Sequence, residues 1–120
     1  MSDDFPKGPE KRNYQRVELE LPVRLEVAGQ EIQTTTENIS CGGMFLPTPI
    51  QAEDSFVEDQ VITAFISIPD QNKVIKMAGS ITRVHKKYNA DTVGLAIQFS
   101  GLYDDNRLEI DRFLKWKMLN

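Results

Sequence analysis

Cysteine is nearly missing from this chain. Cys41 stands alone, so no intramolecular disulfide can form, and with His85 as the only histidine there is no cysteine–histidine spacing for a metal site. An excess of positive charge is missing too: 14 Lys and Arg stand against 18 Asp and Glu, a net charge of −4. That argues against binding a nucleic-acid polymer, whose partners run strongly basic, but leaves room for a small anion held by a local patch. Long apolar runs are absent, and nothing approaches the roughly 20 residues of a membrane span. The start, Met1-Ser2-Asp3-Asp4-Phe5-Pro6, has no basic region followed by an apolar stretch, so no secretory signal is expected and the setting reads as cytoplasmic. The glycine-rich phosphate loop of nucleotide hydrolases is not found, nor are repeats or low-complexity segments.

What is present is enough for one modest core: 120 residues make one domain. Residues 1–11 are polar and punctuated by Pro and Gly, and read as a flexible N-terminal arm. From Val17 the pattern changes. Val17, Leu19, Leu21, Val23, Leu25 and Val27 alternate with polar residues, which predicts a half-buried strand with Pro22 on its wet face marking an edge or a bulge. Ala28-Gly29-Gln30 turns into a second strand, Glu31 to Ile39, whose apolar phase slips and predicts a bulge or strand end close to Asn38. Met44-Phe45-Leu46 reads as a short buried strand, and Pro47 to Asp59 as an acidic loop. Val61 to Ile68 is almost wholly apolar, as for a strand covered on both sides. Lys73 to His85 reads as a long strand with Gly79 as a bend or bulge, and Val93 to Phe99 as another. Residues 103–118 switch to helical spacing, with Ile110, Phe113, Leu114 and Met118 on one face. The sum is an all-β domain over 12–120, a six-stranded antiparallel β-barrel with a C-terminal α-helix.

Two short stretches carry the chemistry. Arg12-Asn13-Tyr14-Gln15-Arg16 places two guanidinium groups in the arm, and Asn38-Ile39-Ser40-Cys41-Gly42-Gly43 runs an amide and a hydroxyl into a double-glycine turn. Arginine pairs bidentately with phosphate oxygens and with the O6/N7 edge of guanine. Asn38 and Ser40 offer acceptors for guanine N–H groups or donors for phosphate, while Gly42 and Gly43 permit positive φ and close approach of backbone to a base. Alone, each stretch is also what a solvated arm or a polar turn looks like.

In order and spacing the two resemble the paired motifs of the PilZ domain, Arg-x-x-x-Arg and Asp/Asn-x-Ser-x-x-Gly, a likeness that runs from about Lys11 to Phe99. Val93-Gly94-Leu95-Ala96-Ile97-Gln98-Phe99 is similar to the Gly-x-x-x-Phe strand that closes that family's barrel. The resemblance implies a six-stranded barrel with a C-terminal helix and binding of the bacterial second messenger cyclic di-GMP. It implies Arg12, Arg16, Asn38, Ser40 and Gly43 as the ligand-binding residues, with Lys11, Gly42 and Arg83 as weaker candidates. Asn38 stands where many members have Asp, which removes a charge that could pair with guanine N1/N2. Arg83 falls on the apolar phase of its strand, so it must emerge at the barrel rim unless a bulge has changed the phase; at the rim it could stack on guanine.

No enzyme is expected. Cys41 and His85 are the sole nucleophile–base pair, nothing orients His85, and no carboxylate pair is placed near either. The expected function is a sensor or adaptor that orders its arm over the barrel when cyclic di-GMP binds. It would then signal to a protein partner in motility, secretion or polysaccharide synthesis, without cofactor, metal or membrane span. The alternatives are a PilZ-like adaptor that does not bind the dinucleotide, and a small nucleic-acid-binding barrel.

Overall fold

The computed structural model describes residues 16–49, 56–89, 92–100 and 104–119, the side chains of 49, 86–89 and 104 excepted. The expected arm over 1–11, with Lys11, and the first motif arginine, Arg12, lie outside the described residues. The elements are β1 (Pro22–Val27), β2 (Gln30–Thr35), β3 (Asn38–Ser40), β4 (Gly43–Pro49), β5 (Val61–Ile68), β6 (Lys73–Asn89), β7 (Thr92–Phe99) and α1 (Asp104–Leu119).

One antiparallel sheet holds all seven strands in the order β2-β1-β5-β6-β7-β4-β3. Its two edges, β2 and β3, are neighbours in the chain with only Thr36 and Glu37 between them. Two residues cannot span a flat sheet of that width, so the sheet must roll until its edges meet. The seam is stitched by hydrogen bonds: the Thr34 hydroxyl donates to the Pro47 carbonyl, and the Glu37 N–H donates to the Phe45 carbonyl at 2.8 Å.

Among the described residues seven strands form where six were expected, because the second divides at Thr36. Its side chain is buried, and its hydroxyl takes the Leu21 N–H at 2.9 Å and donates to the Leu19 carbonyl at 2.5 Å. The same contacts delay β1, expected from Val17. Residues 18–21 lie outside any strand, and the ladder begins at Pro22, a position that needs no donor. Val17 forms its own two-bond bridge with Ile39, at 2.9 and 3.0 Å.

Alternation fills the interior: Val23, Leu25 and Val27 of β1, Ile62, Ala64, Ile66 and Ile68 of β5, and Leu95, Ile97 and Phe99 of β7 are all buried. β5 is not covered on both sides as expected. Thr63, Phe65 and Ser67 on its outer face are half-exposed, and the Arg24 guanidinium covers the Phe65 ring from 3.9 Å. Gly79 is no bulge either, since its pairing runs unbroken; a Cβ there would meet the Gln98 carbonyl oxygen at 2.5 Å. The bulge falls at Thr82, between the pairs Ile81↔Ile97 and Arg83↔Ala96.

Helix α1 packs against the barrel through buried Ile110, Phe113 and Leu114, while Met118, expected on that face, is 47% exposed. Polar ties fix it in place: Asn106 Nδ2 donates to the Lys76 carbonyl at 2.6 Å, and Lys73–Glu109 and Lys117–Asp70 pair at 2.5 and 2.9 Å. Among the described residues no helix is long and apolar enough to cross a membrane.

Candidate ligand-binding site

The second motif is the β3–β4 hairpin itself. Ser40 pairs with Gly43 across the two-residue turn Cys41-Gly42. The Ser40 hydroxyl is buried and accepts the N–H groups of Gly42 and Gly43 at 3.1 and 3.2 Å, so it is engaged in building the turn. The Gly42 carbonyl accepts the Phe99 N–H at 2.9 Å, which docks the turn on β7.

The glycines are not there for positive φ, contrary to expectation: Gly29, with φ 77°, is the glycine with that backbone among the described residues. Gly43 is needed for proximity, because a Cβ on it would lie 2.3 Å from the Ile97 carbonyl oxygen. No side chain fits between β4 and β7 at that point.

The two motifs meet. The Val17–Ile39 bridge lays the end of the arm beside β3, and Arg16 Nη1 donates to Asn38 Oδ1 at 2.7 Å. Arg16 is exposed and Asn38 half-buried, so a strong charge-assisted bond sits where solvent can reach it.

Arg83 joins the same face by the second of the two routes considered, a change of phase. The Thr82 bulge turns it outward, and its side chain is exposed. Register then places Asn38↔Phe45, Phe45↔Ala96 and Ala96↔Arg83 on one rung. Residues on a rung share a face, so Asn38 and Arg83 flank an outer surface three strand spacings wide, roughly 14 Å along the sheet. Between them the floor is low, with Gly43, Gly94 and Ala96, and the Phe45 ring stands edge-on to His85 at 5.4 Å between centroids.

The structure therefore assembles Arg16, Asn38, Ser40, Gly42, Gly43 and Arg83 on one side of the barrel. Phe45 and Ala96 of that floor, and Gln98 beside them as the partner of Gly43, did not emerge from the sequence as site residues. The outward phase of β7 held a signal, the small residues Gly94 and Ala96, but the rung becomes visible only once the register is known.

Arg107 of α1 is a further neighbour, its Nε donating to the Cys41 carbonyl at 3.3 Å. Burial, and then the Asp111 carboxylate, push the Cys41 thiol above its ordinary pKa, with Arg107 opposing them. A thiol held protonated is a poor nucleophile. Among the described residues no cluster of three His, Cys, Asp or Glu could hold a metal ion.

Comparison with the curated proteins finds no match. Among solved structures, the chain is similar to the Bacillus subtilis inhibitor of motility MotI/DgrA, with TM-score 0.77, 20% identity, and coverage of 91% of this chain and 52% of that one. It is also similar to the PilZ domain of Escherichia coli YcgR with c-di-GMP, with TM-score 0.67 and 13% identity over 86% of this chain and 88% of that one. A third is the K. pneumonia MrkH–c-di-GMP complex, with TM-score 0.74 and 18% identity over 90% and 52%. The chain thus spans about half the length of MotI and MrkH. At these identities the likeness is one of fold. The family model described as the PilZ domain matches residues 10–116, most of the helix included, and the chain belongs to that family.

Proposed function

We propose that this chain is a cyclic di-GMP receptor that works by binding alone, through Arg12, Arg16, Asn38, Gly43 and Arg83, with Ser40 and Gly42 shaping the turn beneath the ligand. The observation that carries the reading is the Arg16–Asn38 contact, which joins the two motifs into one exposed polar surface. Two structural neighbours, YcgR and MrkH, are solved with c-di-GMP.

The chemistry follows from the groups present. Cyclic di-GMP brings two phosphodiesters and two guanine edges. The Arg16 guanidinium has donors beyond the one held by Asn38, and a phosphate or a guanine O6/N7 edge takes two at once. Asn38 Oδ1, released in the exchange, can accept from guanine N1 or N2. The glycine floor lets a flat base approach the backbone, and Arg83 at the far side offers a planar cation for stacking. Arg12 supplies a second guanidinium from the arm, which ligand binding draws over the barrel. Ordering costs about 1–2 kcal/mol per residue fixed, so the affinity should be micromolar rather than picomolar. The covered surface would then signal to a protein partner in a reducing, cytoplasmic setting.

Isothermal titration tests this. Cyclic di-GMP should give saturable heat, and GMP, GTP and cyclic di-AMP little at the same concentration. Absence of heat with cyclic di-GMP, and of any rise in melting temperature, would leave a PilZ-fold adaptor in which Arg16 holds Asn38 without ligand. Amide exchange across residues 7–17 tests the arm: protection should rise on binding, and equal protection in both states would remove that step.

A further inference from the structure

Charge changes sign along the segment that leads into the barrel. Val17 and Leu19 pack against the core, so Arg16 and Glu18, on either side of Val17, stand on the outer face. The antiparallel Val17↔Ile39 bridge sets Glu18 opposite Asn38. Arg16 reaches the same Asn38 through its 2.7 Å bond to Oδ1. Asn38 is thus flanked by a guanidinium and a carboxylate. Arg16 is engaged, whereas Glu18 is exposed and its carboxylate makes no hydrogen bond or ion pair among the described residues.

Donors outnumber acceptors among the other polar groups of this face. Arg16 and Arg83 only donate. The Ser40 hydroxyl accepts the Gly42 and Gly43 N–H groups, and the Gly42 carbonyl accepts the Phe99 N–H. Asn38 has one oxygen and one amide nitrogen. The O6/N7 edge of guanine carries two acceptors, and donors for it are plentiful. Its N1/N2 edge carries two adjacent donors. Asn38 can accept one of them, but its own Nδ2 then opposes the other. A carboxylate accepts both, and its charge strengthens each bond. Without such donors to meet, an acid at this position would only repel a ligand that carries two phosphodiesters.

We propose that Glu18 reads the N1/N2 edge of one guanine of cyclic di-GMP, supplying the second acceptor that Asn38 lacks. The inference rests on the cyclic di-GMP reading and adds a specificity-determining residue to it. Adenine has a bare acceptor at N1 where guanine has an N–H, so the same carboxylate turns cyclic di-AMP away.

Calorimetric titration of wild type, Glu18→Gln and Glu31→Gln tests this, with cyclic di-GMP and with cyclic di-IMP, which lacks the N2 amine. Glu31→Gln makes the same change of net charge at the β1–β2 hairpin. Through charge alone, losing a carboxylate tightens the binding of an anion. Glu18→Gln should instead weaken cyclic di-GMP by about tenfold, within the range for a bidentate base contact, with circular dichroism and melting temperature unchanged. Wild type should prefer cyclic di-GMP to cyclic di-IMP by about tenfold, and Glu18→Gln should lose most of that preference. Glu31→Gln should match wild type with both ligands. Three results would overturn the proposal: Glu18→Gln binding as tightly as wild type or tighter, an equal loss in Glu31→Gln, or a weakened Glu18→Gln that keeps the full preference for guanine. A wild type that binds neither dinucleotide would overturn the cyclic di-GMP reading itself, and this inference with it.

Discussion

Gly43→Ala is the substitution on which the description of the site is most exposed. The added methyl would stand 2.3 Å from the Ile97 carbonyl oxygen and 3.3 Å from its carbon, both backbone atoms of β7. An ordinary contact begins near 3.4 Å, so β4 and β7 must separate by about 1 Å where they pair Gly43↔Gln98 and Met44↔Ile97. Ladder bonds at normal spacing have no such slack. Ile97 and Met44 are buried beside the point of strain, so the core shifts as well. Overpacking of this kind costs about 2–3 kcal/mol. For a domain of this size that is a fall of roughly 8–12 °C in melting temperature. Thermal and urea unfolding of the ligand-free protein read it directly. A Gly43→Ala protein within about 0.5 kcal/mol of wild type would show that the β4–β7 approach is looser than described, and the glycine would then have to be explained by ligand contact alone.

Three further outcomes follow from the same geometry. Ser40→Ala orphans the N–H groups of Gly42 and Gly43 and should destabilise the ligand-free protein by about 1–2 kcal/mol; unchanged stability with lost ligand affinity would make Ser40 a ligand contact instead. Ala28→Asn should raise stability by about 0.5–1 kcal/mol in urea unfolding, because Ala28 holds φ 52° before Gly29 in a two-residue hairpin turn that favours Asn-Gly. Alkylation of Cys41 should accelerate at higher pH in the folded protein than in the urea-unfolded chain. Its folded pKa is raised by burial and by Asp111, so the neutral thiol persists further into alkali and the associated stability is lost as pH climbs through the folded value.

Strand phase was legible where one face is dry. The alternations in β1 and β7 and the Ile110, Phe113 and Leu114 stripe match the buried residues. The failures share a cause. Thr36 divides a strand by bonding Leu19 and Leu21, residues remote from it in sequence, and a threonine-rich run gives no sign of which hydroxyl will turn inward. Phe65 escapes a covering layer because Arg24, on the neighbouring strand, stacks over it. Bulge position was undecidable between Gly79 and the run toward Arg83, since both interrupt the same alternation. The site shows the same division. The motifs were visible because they are short and ordered, whereas the floor of Phe45, Ala96 and Gln98 exists only across two paired strands whose register no local pattern records. Ser40 and Gly43 stood out in the sequence as candidate ligand contacts, whereas their roles as turn builder and close-approach point needed the hairpin.

The central claim is that the two motifs form one cyclic di-GMP site through Arg16 and Asn38. Calorimetric titration of cyclic di-GMP into wild type, Arg16→Ala and Arg24→Ala tests it most directly. Arg16→Ala should weaken binding by about 1–3 kcal/mol, roughly five- to 150-fold, the loss of one bidentate contact. Arg24, which pairs with Glu26 and stacks on Phe65 on a different part of the sheet, should be replaceable with almost no effect. Equal losses in the two variants would reduce the effect to general electrostatics, and no binding by wild type would contradict the account outright.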